Sequence, residues 1–196
     1  MIEKLASRIA RFFATKQIYS ENEVAAYKYG FELLLSTVFT LVCVLAISIV
    51  LRNTWGAVLF FAAFIPLRVT AGGYHANHHW SCMTTMCITF FCFSLTQKLL
   101  LPAHVPHFSI AATLVACPII WKLSPVAATN KPISEAKKNR KREQSLVIAS
   151  VTIALLIIFI YVPGLPKDWI GYLTSGMLAA SLSLVAAAIN NKHRQN

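Results

Sequence analysis

His75 and Cys82 stand seven positions apart in Arg68-Val-Thr-Ala-Gly72-Gly73-Tyr-His75-Ala-Asn77-His78-His79-Trp-Ser-Cys82. A thiol and an imidazole are the two groups that nucleophilic acyl transfer requires: the thiolate attacks a carbonyl and the imidazole manages the proton. The stretch separates two long apolar runs, and ionisable groups gathered beside hydrocarbon need partners or water. We read it as a cysteine-nucleophile site built at a membrane surface. Cys82 falls in the expected first turn of a helix, where the macrodipole and unpaired N–H groups favour a thiolate. Cys43, Cys87, Cys92 and Cys117 lie inside apolar runs instead and read as small apolar residues.

Spacing constrains how such a site is built. On one continuous helix His75 and Cys82 would share a face but lie about 10 Å apart along the axis, too far for proton transfer. The chain must therefore break between them, and Gly72 and Gly73 supply the break because glycine adopts backbone angles that other residues resist. Spacing alone leaves three bases open. His75 reaches Cys82 by folding back, whereas His78 and His79, four and three residues before the thiol, reach it along a helix that starts early. A zinc site also stays open on ligand types, although the spacing matches no strong zinc signature.

The elements that position this segment are transmembrane helices. A hydrophobic fraction of 57% with only 13% charged residues excludes an ordinary soluble domain and a disordered chain alike. Each crossing takes roughly 20 apolar residues, and the 196-residue chain holds six apolar stretches: 31–51, 55–67, 81–101, 108–123, 146–162 and 169–189. The expected fold is all-α and polytopic, with about six transmembrane helices in one domain over residues 1–196. The second stretch is short; it either extends to Thr70 with Arg68 snorkelling to the headgroups, or bends. Trp55, Trp80, Trp121 and Trp169 all fall at expected span ends, where an amphipathic ring prefers the interface.

Residues 1–30 lack the pattern of a secretory signal. Ile2, Leu5, Ile9, Phe12 and Phe13 recur at helical spacing with Lys4, Arg8 and Arg11 between them, as in an interfacial amphipathic helix. The first four spans then occupy 31–123 with the reactive loop at 68–82. A basic loop follows at 124–145, and the last two spans and a basic tail fill 146–196. If the spans alternate, only Arg52, Lys98 and Lys167 of the 18 lysines and arginines fall on one side of the bilayer. The positive-inside rule then places both termini, the His75 loop and the 124–145 loop in the cytoplasm. The net charge of +11 is explained by this topology and by anionic headgroups, so no nucleic-acid partner is expected.

At this point the residues carry a resemblance. Arg68-x-x-Ala71-Gly72-Gly73-Tyr74-His75-Ala76 followed by Cys82 resembles the signature of the accessory gene regulator protein B (AgrB) family, membrane peptidases of peptide quorum sensing in Gram-positive bacteria. Pro125 and Asn130-Lys131-Pro132-Ile133, then Glu135 and a basic run, resemble that family's later cytoplasmic loop. The resemblance implies a plasma-membrane cysteine endopeptidase without metal or other cofactor. Its substrate would be a short amphipathic AgrD-like propeptide, with His75 as base and Cys82 as nucleophile. Cleavage would release a C-terminal fragment and leave a thioester acyl-enzyme, which an internal cysteine or serine of the substrate would open to a thiolactone or lactone.

Supporting roles stay plural. The chain has seven acidic residues, none adjacent to His75, so a Cys-His dyad is the default; Asn77 or Glu135 could orient the imidazole. Lys131, Lys137, Lys138, Arg140, Lys141 and Arg142 could attract an acidic propeptide segment, or serve as topology determinants against lipid headgroups. Arg68 either positions a carboxylate or snorkels, and Glu32 pairs with Lys28 four residues earlier. Gly171-x-x-x-Ser175-Gly176 offers a small-residue face for a homodimer. A small transporter is the alternative of another class; it would favour ionisable residues at mid-membrane depth and repeated halves, and neither is visible.

Overall fold

The computed structural model describes residues 2–15, 24–72, 79–126 and 135–193. They form seven α-helices: α1 (Ile2–Thr15), α2 (Val24–Val50), α3 (Thr54–Ala71), α4 (His79–Leu99), α5 (Val105–Leu123), α6 (Glu135–Tyr161) and α7 (Lys167–His193). Among the described residues no strand forms; the one departure from helix pairing is an isolated bridge between Gly72 and Val126. The protein is an all-α polytopic membrane protein. Helices α2, α3, α5, α6 and α7 each contain a stretch long and apolar enough to cross a bilayer. At 21 residues α4 has the length, about 32 Å at the α-helical rise, but Ser81, Thr84, Thr85, Thr89, Ser94, Thr96 and Gln97 dilute its apolar character. The third expected span, 81–101, therefore matches a helix by position and length rather than by hydropathy.

By residue contacts the chain divides into two units, Met1–Ile47 with Ala76–Ile88, and Ser48–His75 with Thr89–Asn196. In the first unit, α1 buries Ala6 and Ala10, one turn apart, and stacks Phe13 on Phe31 of α2 at 5.8 Å and 11°. Leu5 and Phe12 stay exposed beside Lys4, Arg8 and Arg11, an amphipathic arrangement suited to an interface. Lys28 Nζ lies 3.6 Å from Glu32 Oε1, the i,i+4 pair expected from sequence.

The second unit is built around α7. Its membrane-spanning stretch is 61% buried against 22–39% for those of α3, α5 and α6, so it packs on several sides at once. Small residues permit this, because backbones approach closely only where side chains are short. A Cβ on Gly176 would collide with the Phe60 backbone carbonyl of α3, and one on Gly171 would collide with the Gln97 side chain of α4. Gln97 Nε2 donates to Gly171 O and Ser175 Oγ, each at 3.3 Å. The Gly171-Ser175-Gly176 face, expected to be available for a homodimer, thus has partners inside the protein. Phe60 is fully buried, packing edge-on to Phe90 at 5.4 Å and stacking on Phe64 at 5.8 Å.

These contacts fix helix directions within this unit. Trp55 stacks on Trp169 at 5.9 Å near the starts of α3 and α7, Phe60 meets Gly176 midway, and Arg68 reaches Ser183 further along. Helices α3 and α7 therefore run parallel. The start of α5, at Val105, also meets the start of α7 at Gly171, whereas α4 approaches Gly171 with its end, at Gln97. The end of α5 meets the first half of α6, where Ser124 Oγ and Ser145 Oγ lie 2.6 Å apart. Helices α3, α5 and α7 point one way, and α4 and α6 the other. Arg68, Lys122, the Lys137–Arg142 run and Lys192 consequently share one end of the unit, opposite Arg52, Lys98 and Lys167.

Candidate functional site

The reactive segment leaves α3 at a defined break. Asn53 caps the start of α3 by accepting the Gly56 N–H at 3.0 Å, and the helix ends 18 residues later at Ala71. Gly72 follows with φ 82° and ψ −152°, a conformation essentially confined to glycine. Glycine is needed there for a second reason: a Cβ would collide with the carbonyl oxygen of Val126. That close approach comes from the Gly72–Val126 bridge, in which Val126 N–H donates to Ala71 O at 2.9 Å. The break expected at Gly72 is present, and α3 does not continue toward Cys82.

The bridge joins two segments far apart in sequence. The stretch that begins at Arg68 and carries His75, and the stretch that begins at Pro125 and carries Lys131 and Glu135, are tied at their roots. Nothing in the sequence announces this pairing, because its members are a glycine and a valine bonded through their backbones. The far side of the second stretch is also anchored: Ser145 Oγ donates to Arg142 O at 2.8 Å, so the 2.6 Å contact with Ser124 Oγ uses the Ser124 proton.

Arg68, expected either to snorkel or to meet a carboxylate, has a protein partner on α7. Its Nη1 donates to Ser183 Oγ at 3.0 Å, and Ser183 Oγ donates in turn to Ala180 O at 2.7 Å. Held this way the guanidinium stays half-buried at the basic end of the unit. Helix α3 reaches Ala71 despite Pro66 in its interior, and Thr70 Oγ1 donates back to Pro66 O at 2.8 Å. The short second span is therefore an 18-residue helix, about 27 Å long at the α-helical rise.

Cys82 is the fourth residue of α4, which begins at His79, two residues earlier than the apolar run. Glu135 is the first residue of α6. The side chains of both lie outside the described atoms, and Gly73, His75, Asn77, His78 and Lys131 lie outside the described residues. In the second unit the described residues establish a glycine-terminated helix, a second segment bridged to it at Val126 and an arginine held by α7; in the first unit, Cys82 lies in the first turn of α4.

An all-α protein with five helices of crossing length among its described residues is a multi-pass membrane protein, and in its second unit the basic residues share one end. The chain belongs to the Accessory gene regulator B family, which it matches over residues 4–189. It is 24% identical over 184 residues to a protein of Halalkalibacterium halodurans named as AgrB-like, covering 94% of this chain and 89% of that one. A Clostridium perfringens (strain 13) protein named AgrB-like protein 2 is 26% identical over 166 residues, covering 82% of this chain and 78% of the relative. No solved structure matches. Family membership places the protein in accessory gene regulator quorum sensing, and its apolar helices place it in a membrane.

Proposed function

We propose that the protein is a cysteine endopeptidase that processes an AgrD-like propeptide at the cytoplasmic face of a bacterial plasma membrane. The observation that supports this reading best is the tie between Gly72 and Val126, because it roots the His75-bearing and Glu135-bearing segments of the family pattern in one place. Cys82 in the first turn of α4 adds a position that favours a thiolate.

In this mechanism Cys82 Sγ bonds to a backbone carbonyl carbon toward the propeptide's C-terminal part, and the C–N bond breaks. His75 holds the proton taken from the thiol and gives it to the departing amine. The C-terminal fragment leaves and a thioester remains. An internal substrate thiol or hydroxyl then attacks the thioester carbonyl, closes the ring and returns Cys82 as the leaving group. Exchange of thiol for thioester roughly conserves bond energy, so no ATP is required for a thiolactone. Cyclisation must outrun hydrolysis, which a site at the bilayer edge favours by limiting water.

Asn77 or Glu135 orients the imidazole, and N–H groups at the start of α4 receive the oxyanion. Lys131, with Lys137, Arg140 and Lys141 of α6, attracts an acidic propeptide segment, while the apolar part of the substrate travels with the bilayer. The test is cleavage of a tagged propeptide by the protein in lipid vesicles. Cys82→Ala and His75→Ala should each abolish the shortened product, and Asn77→Ala and Glu135→Gln should rank the two orienting candidates. Undiminished cleavage by Cys82→Ala would reject the peptidase reading and return the His-rich segment to zinc or transport chemistry.

A further inference from the structure

A cavity of about 470 Å³ opens between the end of α5 and the start of α6, away from the Cys82 segment in sequence. Trp121, Lys122, Ser124, Lys138, Asn139 and Arg142 line it, and among the described lining residues none is acidic. We propose that it binds the phosphodiester headgroup of an anionic phospholipid.

Depth is the first argument. Helix α6 has 27 residues, about 40 Å at the α-helical rise, against a hydrocarbon core of about 30 Å. The surplus falls on its polar beginning, because the apolar run starts only at Leu146. Helix α5 ends at Leu123. The cavity therefore sits where both helices leave the hydrocarbon, at headgroup level, and Trp121 marks that level as an interfacial residue.

Charge and form are the second. Lys122, Lys138 and Arg142 converge on the cavity, and a guanidinium and ammonium groups are the usual donors to phosphate oxygens. The Arg142 guanidinium lies 5.9 Å from the Trp121 ring centroid, a cation–π distance that holds its charge at the mouth. The Ser124–Ser145 hydrogen bond fixes α5 against α6 behind it, so the cavity is preformed. Its volume is in the range of small-ligand sites.

The apolar surroundings favour a lipid over a soluble anion or an acidic peptide. Trp121 is 59% exposed, and Leu114, two helical turns deeper on the same face of α5, is 70% exposed. A headgroup held by the basic residues would lay its acyl chain along that face, which neither inorganic phosphate nor a peptide carboxylate would use. The inference stands independently of the Cys82 chemistry.

The test is native mass spectrometry of the full-length protein in non-ionic detergent with equimolar phosphatidylglycerol and phosphatidylcholine. The wild type should retain one phosphatidylglycerol with a preference of about fivefold or more, the order expected for even one basic residue beside an anionic headgroup. The double variant Lys122→Gln, Arg142→Gln should lose the preference. The charge-conserving pair Lys122→Arg, Arg142→Lys should keep most of it, as should Lys98→Gln at the opposite end of the helices. Equal retention of the two lipids by the wild type would overturn the proposal, and so would an unchanged preference in the double glutamine variant. Displacement of the lipid by inorganic phosphate would reassign the cavity to a free anion. Displacement by a hexaglutamate peptide would reassign it to an acidic polypeptide.

Discussion

Replacing Gly72 with alanine attacks the root of the reactive segment without touching a reactive group. Two independent terms act there. At φ 82° and ψ −152° a non-glycine residue carries about 1–3 kcal/mol of backbone strain. The new Cβ also meets the carbonyl oxygen of Val126, which belongs to the backbone and is not relieved by a rotamer change; overpacking of this kind costs about 1–3 kcal/mol. The sum is about 2–6 kcal/mol. At about 2–4 °C per kcal/mol for a chain of this size, the unfolding midpoint should fall by roughly 4–24 °C.

Gly164→Ala supplies the comparison, because Gly164 also has a positive φ, of 89°, but open space around its Cβ position. Thermal unfolding in detergent should therefore show a smaller loss for Gly164→Ala, the strain alone. Propeptide cleavage should fall in the Gly72 variant even at temperatures where it remains folded, since the tie to Val126 is displaced. Equal midpoints for the two variants would refute the collision argument. A folded Gly72→Ala protein with normal cleavage would refute the claim that this root matters to the site.

Gly176→Ala should lower the midpoint through contact with the Phe60 carbonyl, by about 1–3 kcal/mol, whereas Gly30→Ala, with nothing near its Cβ position in mid-helix, should be neutral or stabilise by up to about 1 kcal/mol. Phe60→Ala should cost about 3–5 kcal/mol in the same thermal assay, because the ring is fully buried among other phenylalanines. Gln97→Leu should change the midpoint little: Ser175 Oγ keeps its 2.7 Å bond to Gly171 O, and the variant removes the buried Gln97 Oε1 that lacks a partner. Ser183→Ala should cost about 1–3 kcal/mol by removing an acceptor from a half-buried guanidinium, and a double-mutant cycle with Arg68→Ala should show the two losses to be less than additive.

Much of the fold was legible because a bilayer imposes simple rules. Apolar runs of crossing length became helices, and the tryptophans near 55, 121 and 169 lie within three residues of helix ends. Gly72 announced the end of α3, and Lys28 with Glu32 announced an ion pair. The misses share a cause. Hydropathy does not register polar first turns, so α4 begins two residues before its apolar run, at His79, and places Cys82 fourth in the helix rather than second. Partner choice was invisible too: Arg68 to Ser183, Gly72 to Val126 and Gly176 to Phe60 each join distant positions through groups that many residues could supply. The small-residue face of α7 was legible as a packing face, but a sequence does not say whether such a face meets another helix of its own chain or a second copy.

The central claim is that Cys82 carries the acyl group, and intact-mass spectrometry tests it directly. The full-length protein in lipid would be mixed with an AgrD-like propeptide, quenched in acid during turnover and weighed. The account predicts a species heavier than the protein by the N-terminal propeptide fragment, mapped by peptide analysis to Cys82, released by hydroxylamine as a thioester is, and absent from Cys82→Ala. A propeptide cleaved at the full rate by Cys82→Ala, or an adduct mapped to any other residue, would contradict it.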